Sequence, residues 1–191
     1  MPAATKLEMF LTIPDYLAME QQSLEKHEYH DGEIYAMAGG TPRHANLTLN
    51  ISRLVGNGLV GKPCSAYSSD LQVALTPNRF VYPDLTVVCD PPLFFEENTI
   101  AINNPTLIVE VLSAGTADYD RGGKFARYRQ IDSFKEYILI SQDEPNVETW
   151  YKLDSNVWRI NTFTTLDQSF ELTSLGVNIS MRDLYDKVDF E

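Results

Sequence analysis

Apolar and polar positions follow two different periods along this chain, and these periods predict its helices and strands. Residues 41–60 carry an apolar face with helical spacing. Its members are Leu47, Ile51, Leu54 and Val55. Thr41 is the expected N-cap of this helix and Pro42 its first residue. Residues 12–22 predict an earlier helix, with Thr12 or Ile13 as its cap region and Pro14 in its first turn.

Between and after these helices, short runs rich in β-branched and aromatic residues predict strands. They cover residues 33–38, 64–75, 79–90, 106–113, 135–141, 147–153 and 157–165. Residues 119–130 and 180–188 have helical composition, and Ser180 is the expected cap of the last helix. This order predicts an α/β fold, in which a mixed central sheet is flanked by helices and carries an additional C-terminal β meander.

The strand predicted over residues 106–113 contains a carboxylate. In its sequence, TLIVEVLS, successive side chains point to opposite faces, and both faces are apolar apart from Glu110. A strand that is apolar on both faces is typical of the centre of a sheet. An unpaired ionised carboxylate in such a place costs several kcal/mol, so Glu110 needs a partner.

Asp84 is the expected neighbour of Glu110. It opens the apolar run of the strand over 79–90, directly after Pro83. If the two strands are adjacent, Asp84 and Glu110 converge near one edge of the sheet. Two such carboxylates repel each other unless a proton or a cation lies between them, and two carboxylates with retained waters suit Mg²⁺. The alternative is that each acid lies near the surface and pairs with an arginine or lysine.

Lys124 lies on the next predicted helix, 14 residues after Glu110. Asp120, Lys124 and Tyr128 share i, i+4 spacing and therefore one helical face. A lysine aimed from this face over the sheet edge can position a water and stabilise negative charge on a phosphate. The alternative is an ordinary i, i+4 salt bridge, with Arg121 and Arg127 solvated.

Composition narrows the function classes. The 191 residues are 43 % apolar and 22 % charged, which predicts one folded domain over residues 1–191. A net charge of −12 disfavours indiscriminate binding to nucleic acid or anionic membrane, and it suits a bound divalent cation. Cys64 and Cys89 lie in no metal-binding spacing, which favours reduced cysteines. With no apolar run that spans a membrane and no signal peptide, a cytoplasmic location is expected.

Three phrases of the chain, taken in order, resemble one known family. YPDLTVVCD contains P-D-x-x-V-V, PTLIVEVLS contains E-V-L-S, and the next helix contains D-x-x-x-K-x-x-x-Y. Together with HEYHDGEIYAMAGGTPRHANLTLNI, they resemble the Uma-type family of restriction endonucleases, a branch of the PD-(D/E)XK nuclease superfamily. The resemblance runs from about Leu11 to Tyr151, which is most of the chain.

This resemblance implies a restriction-endonuclease-like core with metal-binding carboxylates and a catalytic lysine. Asp84 matches the aspartate of the superfamily motif and Glu110 its second acid, so both are expected to be catalytic metal ligands. Leu112 stands where the superfamily usually has its lysine, and Lys124 occupies the place to which the family has moved it. The implied cofactor is Mg²⁺, for which Mn²⁺ can substitute, and the implied substrate is DNA.

Two further acids and one histidine are candidates for the same site. Glu28 matches an acid near the family's N-terminus and is expected to bind a second metal or to orient Lys124. Asp70 is expected to approach the site as a metal ligand. The alternative for Glu28 is a surface glutamate, and the alternative for Asp70 is a salt-bridged or solvent-facing aspartate. His44 is left out of the catalytic set, because a lone helical histidine is more often structural or on the surface.

The helix predicted after the strand that carries Glu110 supplies the expected substrate contacts. Arg121 and Arg127 are expected to bind phosphates, with a further contribution from Arg129. Tyr128 is expected to join them, or to donate a hydrogen bond to a carboxylate or to the lysine.

The leading hypothesis is a metal-dependent endonuclease that hydrolyses phosphodiester bonds in DNA, with a homodimer as a possible assembly. The first alternative is a nuclease-fold module that binds nucleic acid or assembles without turnover. The second is a different two-carboxylate enzyme such as a glycosidase. That reading gives no role to Lys124 and the arginines beside it.

Overall fold

The structure is a computed structural model, which describes residues 5–37, 39–95, 100–113, 115 and 117–190. Its strands are β1 (Thr5–Phe10), β2 (His27–His30), β3 (Glu33–Ala36), β4 (Ser65–Ser68), β5 (Val73–Thr76), β6 (Arg79–Val81), β7 (Leu85–Val88), β8 (Leu107–Leu112), β9 (Glu136–Ser141), β10 (Val147–Asp154), β11 (Val157–Phe163), β12 (Ser169–Leu172) and β13 (Val177–Ser180). Its helices are α1 (Ile13–Glu20), α2 (Pro42–Gly58), α3 (Ala117–Tyr119), α4 (Phe125–Tyr128) and α5 (Met181–Leu184), and a π-helical turn (Asp120–Lys124) joins α3 to α4. Ala38, the last residue of the strand predicted over 33–38, lies outside the described residues.

The larger sheet of the described chain has six strands in the order β11-β10-β9-β8-β7-β4. β8 and β9 are parallel, and the other neighbours are antiparallel. β8 lies inside this sheet, and its six residues are all buried. The prediction that Glu110 belongs to a central strand is therefore confirmed.

The second sheet of the described chain has five strands in the order β1-β3-β2-β6-β5. The prediction of one continuous strand over residues 79–90 is wrong, because β6 belongs to this sheet and β7 to the larger one. The break falls at Tyr82–Asp84, where Pro83 has no N–H to donate to a ladder. Residues 64–75 divide in the same way into β4 and β5. Asp84 therefore lies where the chain passes from one sheet to the other.

Helices cover the larger sheet on both faces. On one face, Leu47, Ile51 and Val55 of α2 pack against side chains of β7, β8 and β9. The hairpin β12-β13 and α5 join the same core. On the other face, Tyr128 of α4 packs against Ile108 and the neighbouring aromatic residues. The predicted mixed sheet flanked by helices is confirmed; its C-terminal meander is β9-β10-β11, and the β12-β13 hairpin was not predicted.

The predicted helix caps are present. The Thr12 hydroxyl accepts from the Asp15 N–H, the Thr41 hydroxyl from the His44 N–H, and the Ser180 hydroxyl from the Asp183 N–H. Each satisfies one of the N–H groups that a helix start leaves without a partner. None of the helices in the described ranges has the length and apolar character needed to span a membrane.

Cys64 and Cys89 form a disulfide. They lie one step beyond the Ser65–Val88 pair of the antiparallel strands β4 and β7, so strand pairing brings them face to face. The prediction that both cysteines are reduced is corrected by this contact. Their spacing in the sequence gives no sign of it, because the pairing of β4 with β7 is a long-range feature.

Candidate active site

Asp84 and Glu110 meet across neighbouring strands. β7 and β8 are antiparallel with Leu85 opposite Val109, and continuing that register by one residue places Asp84 opposite Glu110. The Val111 N–H donates to Asp84 Oδ2 at 2.7 Å. Both acids are buried, with 7 % of Asp84 and 5 % of Glu110 exposed. The structure therefore brings together the two carboxylates that the sequence predicted to converge.

Lys124 supplies a cation beside Glu110. Its Nζ lies 3.0 Å from Glu110 Oε1, 3.3 Å from Asp120 Oδ1 and 3.6 Å from Glu28 Oε1. The Tyr128 hydroxyl donates to Glu110 Oε1 at 3.3 Å. The four residues predicted to be catalytic thus lie in one buried group, which also contains Asp120. We call it the carboxylate cluster, and its members are Glu28, Asp84, Glu110, Asp120 and Lys124.

A π-helical turn carries two members of the cluster. The helix predicted over 119–130 contains this turn, Asp120–Lys124, between α3 and α4. A π turn inserts one extra residue into a helix, and such turns are frequent at functional sites. A Cβ on Gly123 would lie 2.6 Å from ring atoms of Tyr119. Glycine at this position therefore lets the Tyr119 ring pack against the turn.

The smaller sheet delivers Glu28 to the cluster. Glu28 and His30 share one face of β2, since they are two residues apart on a strand. His30 Nε2 lies 3.1 Å from Glu28 Oε2. The His30 ring lies near Tyr35 and Tyr119, with ring centroids 4.8 and 5.8 Å away. These contacts hold Glu28 where its other oxygen faces Lys124.

Negative charge exceeds positive charge in the cluster. Burial raises the pKa of Glu110 well above its ordinary value, and the charges of Asp120 and Asp84 add to this rise against the opposing charge of Lys124. Burial by itself would lower the pKa of Lys124, but Glu110, Glu28 and Asp120 together hold it well above its ordinary value. Several carboxylates surround a single ammonium, so the lysine keeps its proton. Glu110 is hard to ionise because it is buried and lies beside other negative charges.

Glu28 behaves differently from Glu110. Burial would raise the pKa of Glu28, but Lys124 and His30 outweigh burial and lower it. Glu28 is therefore the acid that stays ionised and holds the lysine.

His44 reaches the cluster from α2. Its Nε2 lies 3.3 Å from Asp84 Oδ2, and the ring is buried. Among the described residues, Nε2 has no aligned hydrogen-bond partner. The sequence prediction excluded His44 from the catalytic set, yet the structure places it against Asp84, a predicted metal ligand.

Asp70 does not join the cluster. It lies in the turn before β5, and its side chain is 80 % exposed. There it pairs with Lys26 Nζ at 2.6 Å and accepts from the Ser68 hydroxyl at 3.1 Å. The expectation that Asp70 approaches the site is therefore corrected, and the salt-bridged alternative describes its position. The reason is the turn at residues 69–72, which the pattern over 64–75 did not reveal.

The predicted substrate-binding residues divide into two kinds. Tyr128 is fully buried and donates to Glu110, so its place is inside the cluster rather than on a substrate surface. Arg121 pairs with Glu148 at 2.9 Å, and Arg127 donates to the Gly123 carbonyl at 2.6 Å. Both arginines are partly exposed on the helix that carries Lys124.

Three residues at the site were not assigned to it by the sequence predictions: Asp120, which belongs to the cluster, and His30 and His44, which contact it. Asp120 was visible as the i−4 neighbour of Lys124, and His30 as the i+2 neighbour of Glu28. No comparable local signal exists for His44, which meets Asp84 only through the packing of α2 on the sheet.

Comparison with known proteins identifies the family of this chain. A family model for Uma2, described as "Putative restriction endonuclease", matches residues 13–182. Two proteins of Synechocystis sp. (strain ATCC 27184 / PCC 6803 / Kazusa), the uncharacterized proteins slr1290 and sll1609, are each 36 % identical to this chain over 176 residues. These matches cover 92 % of this chain, with 91 % of slr1290 and 98 % of sll1609.

A solved structure has the same fold. It is the crystal structure of "a putative nuclease belonging to DUF820" from Anabaena variabilis ATCC 29413, with a TM-score of 0.73 and 16 % sequence identity. The match covers 92 % of this chain and 97 % of that one. Since the family model spans most of the sequence, the chain belongs to the Uma2 family.

Proposed function

We propose that this protein is a metal-dependent endonuclease that hydrolyses phosphodiester bonds in DNA, with Mg²⁺ as its cofactor and Mn²⁺ as a substitute. One observation carries the proposal: Asp84, directly before β7, lies opposite Glu110 of β8 when the register is continued by one residue, and Lys124 Nζ lies 3.0 Å from Glu110. Membership of a family described as a restriction endonuclease supports the same chemistry.

The donor set fits Mg²⁺. Proteins usually hold Mg²⁺ with one or two carboxylates, while waters and substrate phosphates complete the octahedron. Asp84 and Glu110 provide two carboxylates. Burial and the charges of Asp120 and Asp84 raise the pKa of Glu110, and a divalent cation would offset both effects. Within the described ranges, no group of three acidic, histidine or cysteine side chains forms a ready-made metal cage. The proposed site therefore depends on two carboxylates with water and phosphate.

The metal and the residues in and beside the cluster have separate roles in the proposed reaction. Bound Mg²⁺ would supply an activated water and neutralise charge on the scissile phosphate. Lys124 keeps its proton because three carboxylates face it, so it can donate to the attacking water or to a phosphate oxygen. Glu28 holds the lysine in this direction. Arg121 and Arg127, on the outer side of the same helix, bind phosphates without reading sequence.

A cleavage assay tests the proposal. Wild type is compared with Asp84→Asn, Glu110→Gln and Lys124→Met on plasmid DNA with Mg²⁺ or Mn²⁺. Each substitution should reduce cleavage by roughly 10²–10³-fold, the usual cost of removing one catalytic group that acts on charge. Asp70→Asn is the matched control, because it neutralises an exposed carboxylate outside the cluster, and it should cleave like wild type. Equal cleavage by all five proteins would remove the proposed site.

A second candidate is a nuclease-fold module that binds nucleic acid or assembles without turnover. Two observations favour it. Leu112 stands at the usual place of the superfamily lysine, and Lys124 is already engaged by three carboxylates. DNA binding by wild type with no cleavage under either metal would select this candidate.

The homodimer, the single domain over 1–191 and the cytoplasmic location stay predictions. Light scattering after size-exclusion chromatography tests the homodimer, and limited proteolysis followed by mass spectrometry tests the single domain.

A further inference from the structure

His44 contacts Asp84 from α2, and the proposed chemistry has not used this contact. Its Nε2 lies 3.3 Å from Asp84 Oδ2 and is buried with no aligned partner among the described residues. A buried imidazole nitrogen close to a carboxylate oxygen is stable there only as an N–H donor. The described contacts of Asp84 therefore converge on Oδ2, which also accepts from the Val111 N–H.

A set of hydrogen bonds holds the start of α2 against the end of β8. The Thr41 hydroxyl accepts from the His44 N–H at 3.1 Å and donates to Gln142 Oε1 at 2.6 Å. Gln142 Nε2 donates to the Leu112 carbonyl at 3.0 Å. Because Val111 is the residue before Leu112 and binds Asp84, these contacts close a ring that returns to His44.

The chain also leaves room for the imidazole. A Cβ on Gly40 would lie 2.9 Å from His44 Nδ1 and 3.2 Å from its Cγ. A side chain at position 40 would therefore press on the ring. The ring's place against Asp84 is thus determined by the helix cap, by the end of β8 and by the absence of a side chain at Gly40.

We propose that His44 is a positioning residue for Asp84: its Nε2–H and the Val111 N–H together hold Oδ2, and so direct Oδ1 to the divalent cation. This inference rests on the proposed function, because Asp84 is taken as a metal ligand. Groups that orient a metal-binding carboxylate typically change metal affinity or activity by 10–100-fold when they are removed.

A matched pair of substitutions tests the role. His44→Gln and His44→Met place unbranched side chains of similar length at position 44, but only glutamine offers an N–H donor. Calorimetry without DNA measures Mn²⁺ affinity. We expect His44→Met to bind Mn²⁺ roughly 10–100-fold more weakly than wild type, and His44→Gln to recover much of that loss. Equal losses in both variants, or none in His44→Met, would overturn the inference.

A double variant separates orientation from general damage. Asp84→Asn removes the carboxylate on which His44 acts. In that background, adding His44→Met should leave the residual Mn²⁺ affinity unchanged. A further loss of the same size as in wild type would mean that His44 acts elsewhere, and the inference would fail.

Wild-type protein gives a test that needs no buried substitution. The chain has three histidines, His27, His30 and His44, so their ¹⁵N imidazole signals can be assigned by replacing the other two in turn. The ¹⁵N signals show which ring nitrogen carries a proton. His44 should carry one on Nε2. An Nδ1–H tautomer would leave a bare Nε2 facing a carboxylate oxygen and would overturn the inference.

The outcomes distinguish the two proposals. If wild type binds Mn²⁺ and cleaves DNA while His44→Met does the same, only the role of His44 fails. If wild type binds no Mn²⁺, Asp84 is not a metal ligand, and the proposed function and this inference fail together.

Discussion

Two buried glutamates lie on the adjacent parallel strands β8 and β9, and their surroundings differ in kind. Glu110, near the end of β8, faces the ammonium of Lys124 and the charges of other carboxylates. Glu136, at the start of β9, accepts from the Thr173 N–H at 3.0 Å and the Ser174 N–H at 2.8 Å. It also accepts from the Ser174 hydroxyl at 2.7 Å. One carboxylate is surrounded by charges and the other by hydrogen-bond donors.

The difference distinguishes a structural acid from the acid that we propose as a metal ligand. The donors around Glu136 belong to the turn between β12 and β13, so this carboxylate ties the hairpin to the larger sheet. Burial raises the pKa of Glu136 as it does for Glu110, although the Ser174 donors oppose the rise. A raised carboxyl pKa therefore does not mark a catalytic site by itself; the proposed role of Glu110 rests on the imbalance of charge around it.

The largest effect on stability is expected for Lys124→Met. Three carboxylates face its ammonium, and removing one partner of a buried ion pair costs about 3–5 kcal/mol of unfolding free energy. Mn²⁺ should restore part of this loss, because a bound cation stabilises the folded state in proportion to its affinity. Urea unfolding with and without Mn²⁺ measures both. Lys135→Met is the matched control, because Lys135 precedes Glu136 but is exposed; an equal loss there would contradict the comparison.

Glu136→Ala should follow, with a loss of about 2–4 kcal/mol, since it leaves two N–H groups and a hydroxyl without their acceptor. Urea unfolding measures the loss, and cleavage activity should persist in the folded fraction. Glu171→Ala, at an exposed position on β12, should change stability little. If Glu136→Ala lost cleavage activity but kept its stability, Glu136 would have a functional role. The distinction between Glu136 and Glu110 would then fail.

Glu110→Gln should change unfolding free energy by no more than about 1 kcal/mol, and can raise it, because the amide removes a buried charge that Asp84 and Asp120 repel. Lys124 keeps Glu28 and Asp120 as partners. A site that loses activity without losing stability is typical of functional residues. Destabilisation as large as that of Glu136→Ala, by the same urea measurement, would assign Glu110 a structural role.

The smallest effect is the pH dependence contributed by Glu136. Its folded pKa is raised above the ordinary value of 4.5, so the folded state keeps this proton longer than the unfolded chain does. Its contribution to stability is therefore fully present below that value and is lost as the pH rises through the folded pKa. The difference in unfolding free energy between wild type and Glu136→Ala should become smaller as the pH rises above 4.5. A difference that grows over this range would contradict the raised pKa of Glu136.

Much of the local structure could be predicted from the sequence. The caps Thr12, Thr41 and Ser180 and the central position of β8 follow from contacts between residues that are close along the chain. The convergence of Asp84 with Glu110 was predicted on the condition that their strands are neighbours, and the family resemblance supported it. The prediction failed where the chain passes from one sheet to the other: residues 64–75 and 79–90 have strand-like composition throughout, and that composition does not show which sheet each part joins.

The sequence by itself determined which segments form strands and helices, and which acids and lysine interrupt the apolar pattern, because periodicity and capping depend on neighbours a few residues away. Tertiary structure alone decided that Asp70 lies on the surface, that His44 contacts Asp84 and that Cys64 bonds to Cys89. It also decided that hydrogen-bond donors surround Glu136 while charged groups surround Glu110. Those outcomes depend on which distant strands and turns come together, and no local pattern in the chain specifies that choice.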